Sequence, residues 1–280
     1  MPTVVPMAIE EFVDCGSDRV AVQVHPGEGD VFGLFWPAMG VPARYYRRFA
    51  EDLGFPVAVA DLRGTGASTP APSRSSRYGF GDLVGDVGTV LEALKPYRDG
   101  RRTVLMGHSL GGQVAAVHLA TSGRSDVDGL ALVAVGMPYW RGYPGRRQVP
   151  LLAMTQSIGL ASTVLGVWPG WGFGGRQAAR LMRDWARTAR AGRYPRVAGV
   201  DAEVALAQLR TPVLSVDIEG DRLTPASAVD HLVGKMTAAP VTRAGYTAAE
   251  AGTPLDHFTW AKNGAPLAAR IRTWLDGLPR

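Results

Sequence analysis

A serine that could act as a nucleophile lies in the segment Gly107-His108-Ser109-Leu110-Gly111-Gly112. The apolar run Thr103–Met106 precedes this segment, and a helix-like segment, Leu110–Ala120, follows it. A G-x-S-x-G pattern between a strand and a helix is typical of a sharp turn that exposes the serine hydroxyl. The turn also places the Leu110 N–H at the start of a helix, where negative charge is stabilised. The segment therefore predicts acyl transfer with Ser109 as the nucleophile and Leu110 as an oxyanion donor.

Other interpretations of this segment stay open at the level of the motif alone. A glycine-rich turn that merely buries a serine would have the same letters. A serine hydroxyl is a poor nucleophile at neutral pH, so the chemistry also needs a neighbouring base and an acid that orients it. The chain has five histidines that could serve as the base, and these are His25, His108, His118, His231 and His257.

The elements that would position these groups alternate along the chain. Strands are predicted from short apolar or alternating runs, over Ile9–Asp14, Arg19–His25, Val31–Trp36, Pro56–Asp61, Thr103–Met106, Gly129–Val135, Pro212–Asp217 and Val241–Arg243. Helices are predicted over Tyr45–Leu53, Phe80–Leu94, Leu110–Ala120, Pro225–Met236 and Pro266–Leu275. This alternation indicates an α/β fold with a doubly wound, mostly parallel sheet.

Residues 137–200 interrupt the alternation. Two helices are predicted there, over Leu151–Val167 and Gly175–Arg190, and no strand. We expect a helical cap inserted between core segments 1–136 and 201–280, above the carboxyl ends of the strands, where ligands bind in such folds. The cap could enclose an apolar group, or its apolar residues could form only its own core; they are Trp140, Leu151, Leu152, Met154, Ile158, Trp168, Trp171, Phe173 and Trp185.

The composition of the chain limits the classes of molecule that it is expected to bind. The chain carries 30 Lys+Arg and 25 Asp+Glu, but its arginines are scattered without an aromatic-basic motif, so no nucleic-acid partner is expected. A single cysteine, Cys15, excludes an internal disulfide. The N-terminus lacks the features of a signal peptide, which favours a cytoplasmic protein. No apolar run is long enough to predict stable membrane insertion. A small molecule is the expected partner, and the oligomeric state is left open.

Further motifs give the chain a resemblance to the α/β-hydrolase superfamily over nearly its whole length. The run Asp61-Leu62-Arg63-Gly64-Thr65-Gly66-Ala67-Ser68 resembles the D-x-R-G-x-G-x-S loop of lipase- and peptidase-like members. The strings PAMGVP, GHSLGGQ and MRDWAR resemble bacterial predicted hydrolases related to monoacylglycerol-lipase-like and serine-aminopeptidase-like enzymes. The resemblance implies the α/β-hydrolase fold. Asp61 and Arg63 are expected to hold loops around the site.

The resemblance also implies the chain order of a catalytic triad, with serine first, the acid second and histidine last. His257 is the histidine that lies late, in a loop before the final helix, and it is the expected base. Asp221 is the preferred acid because a proline follows it by four residues, with Asp217 and Glu219 as alternatives. Asp256 is disfavoured, since sequence neighbours rarely present their side chains to each other.

The second oxyanion donor would come from the loop after the strand Val31–Trp36. Relatives often have His-Gly there, whereas this chain has Pro37-Ala38. The matching donor is the backbone N–H of Met39, with Ala38 as the alternative. No metal and no organic cofactor is implied.

Three functions are compatible with these residues. The preferred one is hydrolysis of an ester with an apolar acyl part through a covalent acyl-Ser109 intermediate. The second keeps the same triad but uses an acceptor other than water, as an acyltransferase or cyclising enzyme of specialised metabolism does. The third is a ligand-binding member of the fold without catalysis, which the presence of a complete set of triad residues disfavours.

Overall fold

The computed structural model describes residues 8–279. Most of the N-terminal segment on which the signal-peptide prediction depends lies outside this range. Within it, eight strands form one sheet in the order β1-β2-β4-β3-β5-β6-β9-β10. These strands are β1 Ile9–Cys15, β2 Asp18–His25, β3 Val31–Trp36, β4 Val57–Ala60, β5 Arg102–His108, β6 Gly129–Val133, β9 Val213–Ile218 and β10 Val241–Tyr246.

The sheet is parallel from β4 to β10, and only β1 and β2 run antiparallel to their neighbours. Strands β3, β4 and β6 are buried at every residue. This burial explains their continuous apolar sequence, because helices cover both faces of a parallel sheet. The predicted doubly wound, mostly parallel α/β fold is confirmed.

The helices of the described residues are α1 Arg47–Leu53, α2 Phe80–Ala93, α3 Lys95–Arg98, α4 Leu110–Ser122, α5 Gly145–Leu165, α6 Ala179–Ala191, α7 Ala202–Gln208, α8 Ala226–Val233, α9 Ala248–Ala251 and α10 Ala265–Asp276. Short 3-10 helices occupy Ala43–Tyr46, Trp140–Gly142 and Thr259–Asn263. One core cluster joins α2 and α4 to one face of the sheet, and a second joins α1 and α10 to the other.

The cap differs from its prediction in one respect. It contains a short antiparallel pair, β7 Val167–Trp168 and β8 Gln177–Ala178, so the prediction of no strand in the insertion was wrong. Two-residue strands are too short to leave a periodic signal in the sequence. The two predicted cap helices are present as α5 and α6, which pack against each other.

Helix α7 was not predicted from the sequence, although its start carries a recognisable signal. The side chain of Asp201 accepts hydrogen bonds from the backbone N–H groups of Glu203 and Val204. An aspartate in this position stabilises the first turn of a helix.

The loop after β4 is fixed by the buried carboxylate of Asp61 and the partly buried guanidinium of Arg63. The carboxylate of Asp61 accepts hydrogen bonds from the backbone N–H of Ala43 at 2.5 Å and of Ala67 at 2.8 Å. The guanidinium of Arg63 pairs with Asp18 at 2.7 Å and, through two nitrogens, with Asp86. The geometry therefore gives both groups contacts that hold β2, α2 and this loop together.

Replacing Arg63 by alanine would leave the carboxylate of Asp86 buried without its partner, because that side chain is only 4% exposed. We expect Arg63→Ala to lower the free energy of unfolding by about 3–5 kcal/mol. Arg47→Ala is the matched control, since the Arg47–Glu51 pair is exposed, and it should cost at most about 0.5 kcal/mol. Urea denaturation measures both values, and equal losses would contradict the structural role of Arg63.

Candidate active site

The turn that presents Ser109 joins the last residue of β5 to the first residue of α4. Ser109 has φ 52° and ψ −122°. A non-glycine residue with positive φ is strained by roughly 1–3 kcal/mol and persists only where its surroundings enforce it. The turn therefore holds the serine backbone in a fixed, unusual conformation at the carboxyl edge of the sheet.

Backbone contacts around the turn explain its glycines. A Cβ atom on Gly111 would lie 2.2 Å from the carbonyl oxygen of Trp36 and 2.3 Å from that of Pro37. A Cβ atom on Gly107 would lie 2.5 Å from the backbone nitrogen of Gly112. Helix α4 can therefore approach both β3 and β5 only because these positions have no side chain.

Asp221 and His257 are brought together from two loops at the same edge of the sheet. Nδ1 of His257 lies 2.7 Å from Oδ2 of Asp221, and both side chains are buried. The other carboxylate oxygen of Asp221 accepts hydrogen bonds from the backbone N–H of Leu223 at 2.8 Å and of Thr224 at 2.9 Å. The carboxylate is thereby held in one orientation and directs the imidazole ring.

The other acids weighed from the sequence have different partners. Asp217 pairs with Arg243 at 2.6 Å. Glu219 accepts a hydrogen bond from the backbone N–H of Ala248. Asp256 accepts hydrogen bonds from the backbone N–H of the two residues at the start of the following 3-10 helix. Each of these carboxylates stabilises a local structure, and the structure pairs His257 with Asp221.

Hydrogen bonding in the loop after β3 distinguishes Met39 from Ala38 as the candidate second oxyanion donor. The backbone N–H of Ala38 donates to the hydroxyl of Tyr46 at 3.1 Å, so it is already occupied. Among the described residues, neither the backbone N–H of Met39 nor that of Leu110 donates a hydrogen bond to a protein acceptor. Met39 lines the same cavity as Ser109. The two free donors are thus the ones that the sequence favoured.

His108 and Tyr46 were assigned no role from the sequence, yet they lie at the centre of this arrangement. The ring centroids of His108 and His257 are 4.6 Å apart. The Tyr46 hydroxyl accepts a hydrogen bond from the backbone N–H of Ala38 and forms a second hydrogen bond, of 2.7 Å, with Nδ1 of His108. Burial and the nearby His257 hold the pKa of His108 well below its usual range, so this ring is neutral near pH 7.

Strand alternation could have revealed this position of His108. Val104 and Met106 face the cluster that includes Tyr46 and Trp260. Counting by twos along β5 places His108 on the same face. This alternation is visible in the sequence, but its meaning for His108 becomes clear only when the residues that pack against this face of β5 are known.

The remaining histidines lie in structural environments. His25 is buried within β2. Nδ1 of His118 is 2.9 Å from the carbonyl oxygen of Val84, and Nε2 of His231 is 3.4 Å from that of Gly192. None of these three rings lines the cavity beside Ser109.

A cavity of about 450 Å³ lies between the cap and the edge of the sheet that carries Ser109. Ser109, Met39 and His257 line its floor, and Gln113 and Thr224 add polar groups. The cap contributes an apolar wall that consists mainly of Leu151, Met154, Phe173 and Trp185. The rings of Phe173 and Trp185 pack together with centroids 4.8 Å apart. Volumes of this size are typical of small-molecule sites.

Some apolar residues of the cap line the cavity, and others are buried in the core; the sequence had left both roles open. Four of the expected ones line the cavity, as described above. Ile158 and Trp168 belong instead to the buried core cluster, and the indole N–H of Trp168 donates to the carbonyl of Phe173. Trp171 is exposed to solvent. Ile158 and Trp168 therefore extend the core beside the sheet into the cap.

Comparison with known sequences identifies the family. Residues 39–249, more than half of the chain, match the family described as serine aminopeptidase, S33. The chain belongs to this family and thus to the α/β-hydrolase superfamily. No curated protein sequence matches it significantly.

Solved structures share the fold at low sequence identity. The thioesterase domain from the curacin biosynthetic pathway has a TM-score of 0.62 at 18% identity, covering 96% of this chain and 100% of its own. A thermophilic esterase from Thermogutta terrifontis has a TM-score of 0.64 at 16% identity, covering 97% and 98%. E-2-(acetamidomethylene)succinate hydrolase has a TM-score of 0.62 at 18% identity, covering 96% and 100%. Fold and family together make the chain a hydrolase of the α/β-hydrolase type.

Gly111 gives a direct test of the packing at the turn. We expect Gly111→Ala to destabilise the protein by about 3 kcal/mol or more, because the new methyl group would press on two backbone carbonyls. The control is Gly85→Ala, at an exposed position of α2 where a Cβ atom meets nothing within 4 Å. That change should stabilise the helix by about 0.5–1 kcal/mol. Thermal unfolding followed by circular dichroism measures both, and tolerance of Gly111→Ala would contradict the close approach.

Proposed function

We propose that the protein is a serine hydrolase that cleaves an ester with an apolar acyl part, through a covalent acyl-Ser109 intermediate. The observation that carries this proposal is the hydrogen-bonded pair of His257 and Asp221, which lies beside Ser109 at one edge of an apolar cavity. A nucleophile, a base and an orienting acid are the three groups that acyl transfer by serine requires.

In the proposed first step, Nε2 of His257 takes the proton of the Ser109 hydroxyl as its oxygen attacks the ester carbonyl. The Nδ1–H of the same ring donates to Asp221, and this bond stabilises the imidazolium that forms. Asp221 keeps its orientation because two backbone N–H groups hold its second oxygen. His108 is neutral and therefore adds no positive charge beside that ring.

The negative charge that develops on the carbonyl oxygen requires donors that are already in place. The backbone N–H groups of Met39 and Leu110 are assigned this role. Protonation of the leaving alkoxide by His257 releases the alcohol. Water, activated by the same histidine, then hydrolyses the acyl-enzyme and restores Ser109.

The composition of the cavity supports an apolar acyl group. Its cap side is built from aliphatic and aromatic side chains, and the polar groups cluster near Ser109. The few polar groups around the reacting carbonyl would fix its orientation, while burial of the acyl chain would supply binding energy of about 25 cal/mol per Å².

Aryl esters of increasing chain length, from acetyl to dodecanoyl, test both the chemistry and the substrate class. We expect hydrolysis with a preference for acyl chains longer than acetyl, and covalent labelling of Ser109 by a fluorophosphonate, detected by mass spectrometry. Ser109→Ala should abolish labelling and lower kcat by about 10⁴-fold or more. Lack of labelling would refute the nucleophile, whereas labelling without hydrolysis of any ester would refute only the substrate class. Ester products formed with an added alcohol would indicate acyl transfer in place of hydrolysis.

The choice of acid is tested by a pair of isosteric variants. Asp221→Asn should lower kcat by about 10⁴-fold, because the amide favours the wrong tautomer of His257 while still accepting the two backbone hydrogen bonds. Asp217→Asn, at the carboxylate paired with Arg243, should leave kcat within about twofold. Steady-state kinetics on the best aryl ester gives both values. An equal loss in the two variants, with unchanged circular dichroism, would contradict the assignment.

A further inference from the structure

Helix α5 of the cap buries polar side chains and exposes apolar ones, the reverse of the usual arrangement. Its fully buried positions include the hydroxyl residues Thr155 and Ser162, whose oxygens bond back to helix carbonyls. Large aliphatic residues face outward instead, with Val149 68%, Leu160 67% and Val164 76% exposed. A helix that packs on a protein normally buries its apolar residues and exposes its polar ones.

The outward residues form one stripe along the helix. Val149, Ala153, Leu160 and Val164 are separated by four, seven and four residues, so they lie on a single face. Trp171 follows in the next loop and is also exposed. We call these five residues the cap stripe. By length and composition alone α5 could cross a membrane. In this structure it packs along α6, and 22% of its most apolar 18-residue stretch is buried.

A row of arginines runs beside the cap stripe on α6. It consists of Arg180, Arg183, Arg187 and Arg190, which are all exposed and share one helix face. Arg180 and Arg187 have acidic groups no closer than 3.7 Å. Among the described residues, Arg183 and Arg190 have no ion-pair partner. Helix α5 contains no acidic residue.

The stripe and the row occupy one continuous surface. A shallow groove between the two helices is lined by Leu160 and Thr163 on one side and by Arg183, Arg187 and Arg190 on the other. Apolar side chains and exposed guanidinium groups therefore meet the same neighbour when anything covers this face.

We propose that this face of the cap docks on an anionic phospholipid surface. Aliphatic side chains and a tryptophan would enter the boundary between headgroups and acyl chains, while the arginines would contact lipid phosphates. The helix lies along the surface and does not span it. The combination matches the composition of helices that bind in the plane of a membrane interface.

The charges favour this occupant over a second copy of the chain. A two-fold contact across the cap stripe would bring two arginine rows close together without acidic partners on α5. A lipid surface supplies both the apolar layer and the negative charge. If the proposed ester hydrolysis holds, docking would also bring the cavity close to acyl chains, because Leu151 and Met154 of the same helix line it.

Flotation of the full chain with vesicles tests the proposal without any measurement of activity. Vesicles of phosphatidylcholine with about 30 mol% phosphatidylglycerol should bind at least tenfold more protein than pure phosphatidylcholine, with binding that weakens as salt rises above about 0.1 M. The double variant Leu160→Ser/Val164→Ser should reduce binding by about tenfold or more. Arg183→Gln/Arg190→Gln should reduce binding to the anionic vesicles and flatten its salt dependence. A blue shift of tryptophan emission with vesicles should disappear in Trp171→Phe.

Two controls remove exposed side chains that lie away from the cap. Ile9→Ser removes an exposed aliphatic group of β1, and Arg48→Gln removes an exposed charge of α1. Both should bind vesicles as the unchanged protein does. The proposal is overturned if neither vesicle binds, if the controls lose as much binding as the cap variants, or if the stripe variants instead abolish a dimer seen by sedimentation. Ester hydrolysis can succeed or fail independently of each of these outcomes.

Discussion

The close backbone contact between the start of α4 and the end of β3 is the constraint on which the site depends. Gly111 lies so near to the carbonyls of Trp36 and Pro37 that no side chain fits between them. This contact fixes the strained conformation of Ser109 and sets the distance between the turn and the loop that carries Met39. Ser109 and the backbone N–H groups of Met39 and Leu110, which are proposed to act as nucleophile and donors, are therefore positioned by backbone contacts.

A second set of contacts, around Tyr46, ties the same two loops together from the opposite face of the sheet. The hydroxyl of Tyr46 accepts a hydrogen bond from the Ala38 N–H and is hydrogen-bonded to Nδ1 of His108, the residue before Ser109. Occupation of Ala38 leaves Met39 as the free donor of that loop. His108 in turn packs against the ring of His257. A single buried side chain thus links the loop that carries Met39, the turn that carries Ser109 and, through His108, the ring of His257.

The sequence allowed the core of the fold to be predicted because its parallel strands are short, continuous apolar runs; β3, for example, has the predicted bounds Val31–Trp36. The identity of the acid could not be decided in the same way. Asp217, Glu219 and Asp221 lie within five residues, and the end of β9 and the turn at Gly220 determine which one faces His257. Tyr46 and the strands of the cap escaped prediction because their roles depend on contacts distant in sequence or on segments of two residues.

The cap is separate from the groups proposed for catalysis. Ser109, Asp221, His257 and Met39 lie on loops at the edge of the sheet, Leu110 is the first residue of α4, and all five lie outside residues 137–200. The insertion supplies a wall of the cavity, an outer surface, and buried residues such as Ile158 and Trp168 that join the core cluster. Substitutions in the cap can consequently change the cavity wall and the outer surface without replacing any of these five residues. Exchanging this segment between relatives would be a practical route to new substrate ranges, because the groups proposed for catalysis would stay unchanged.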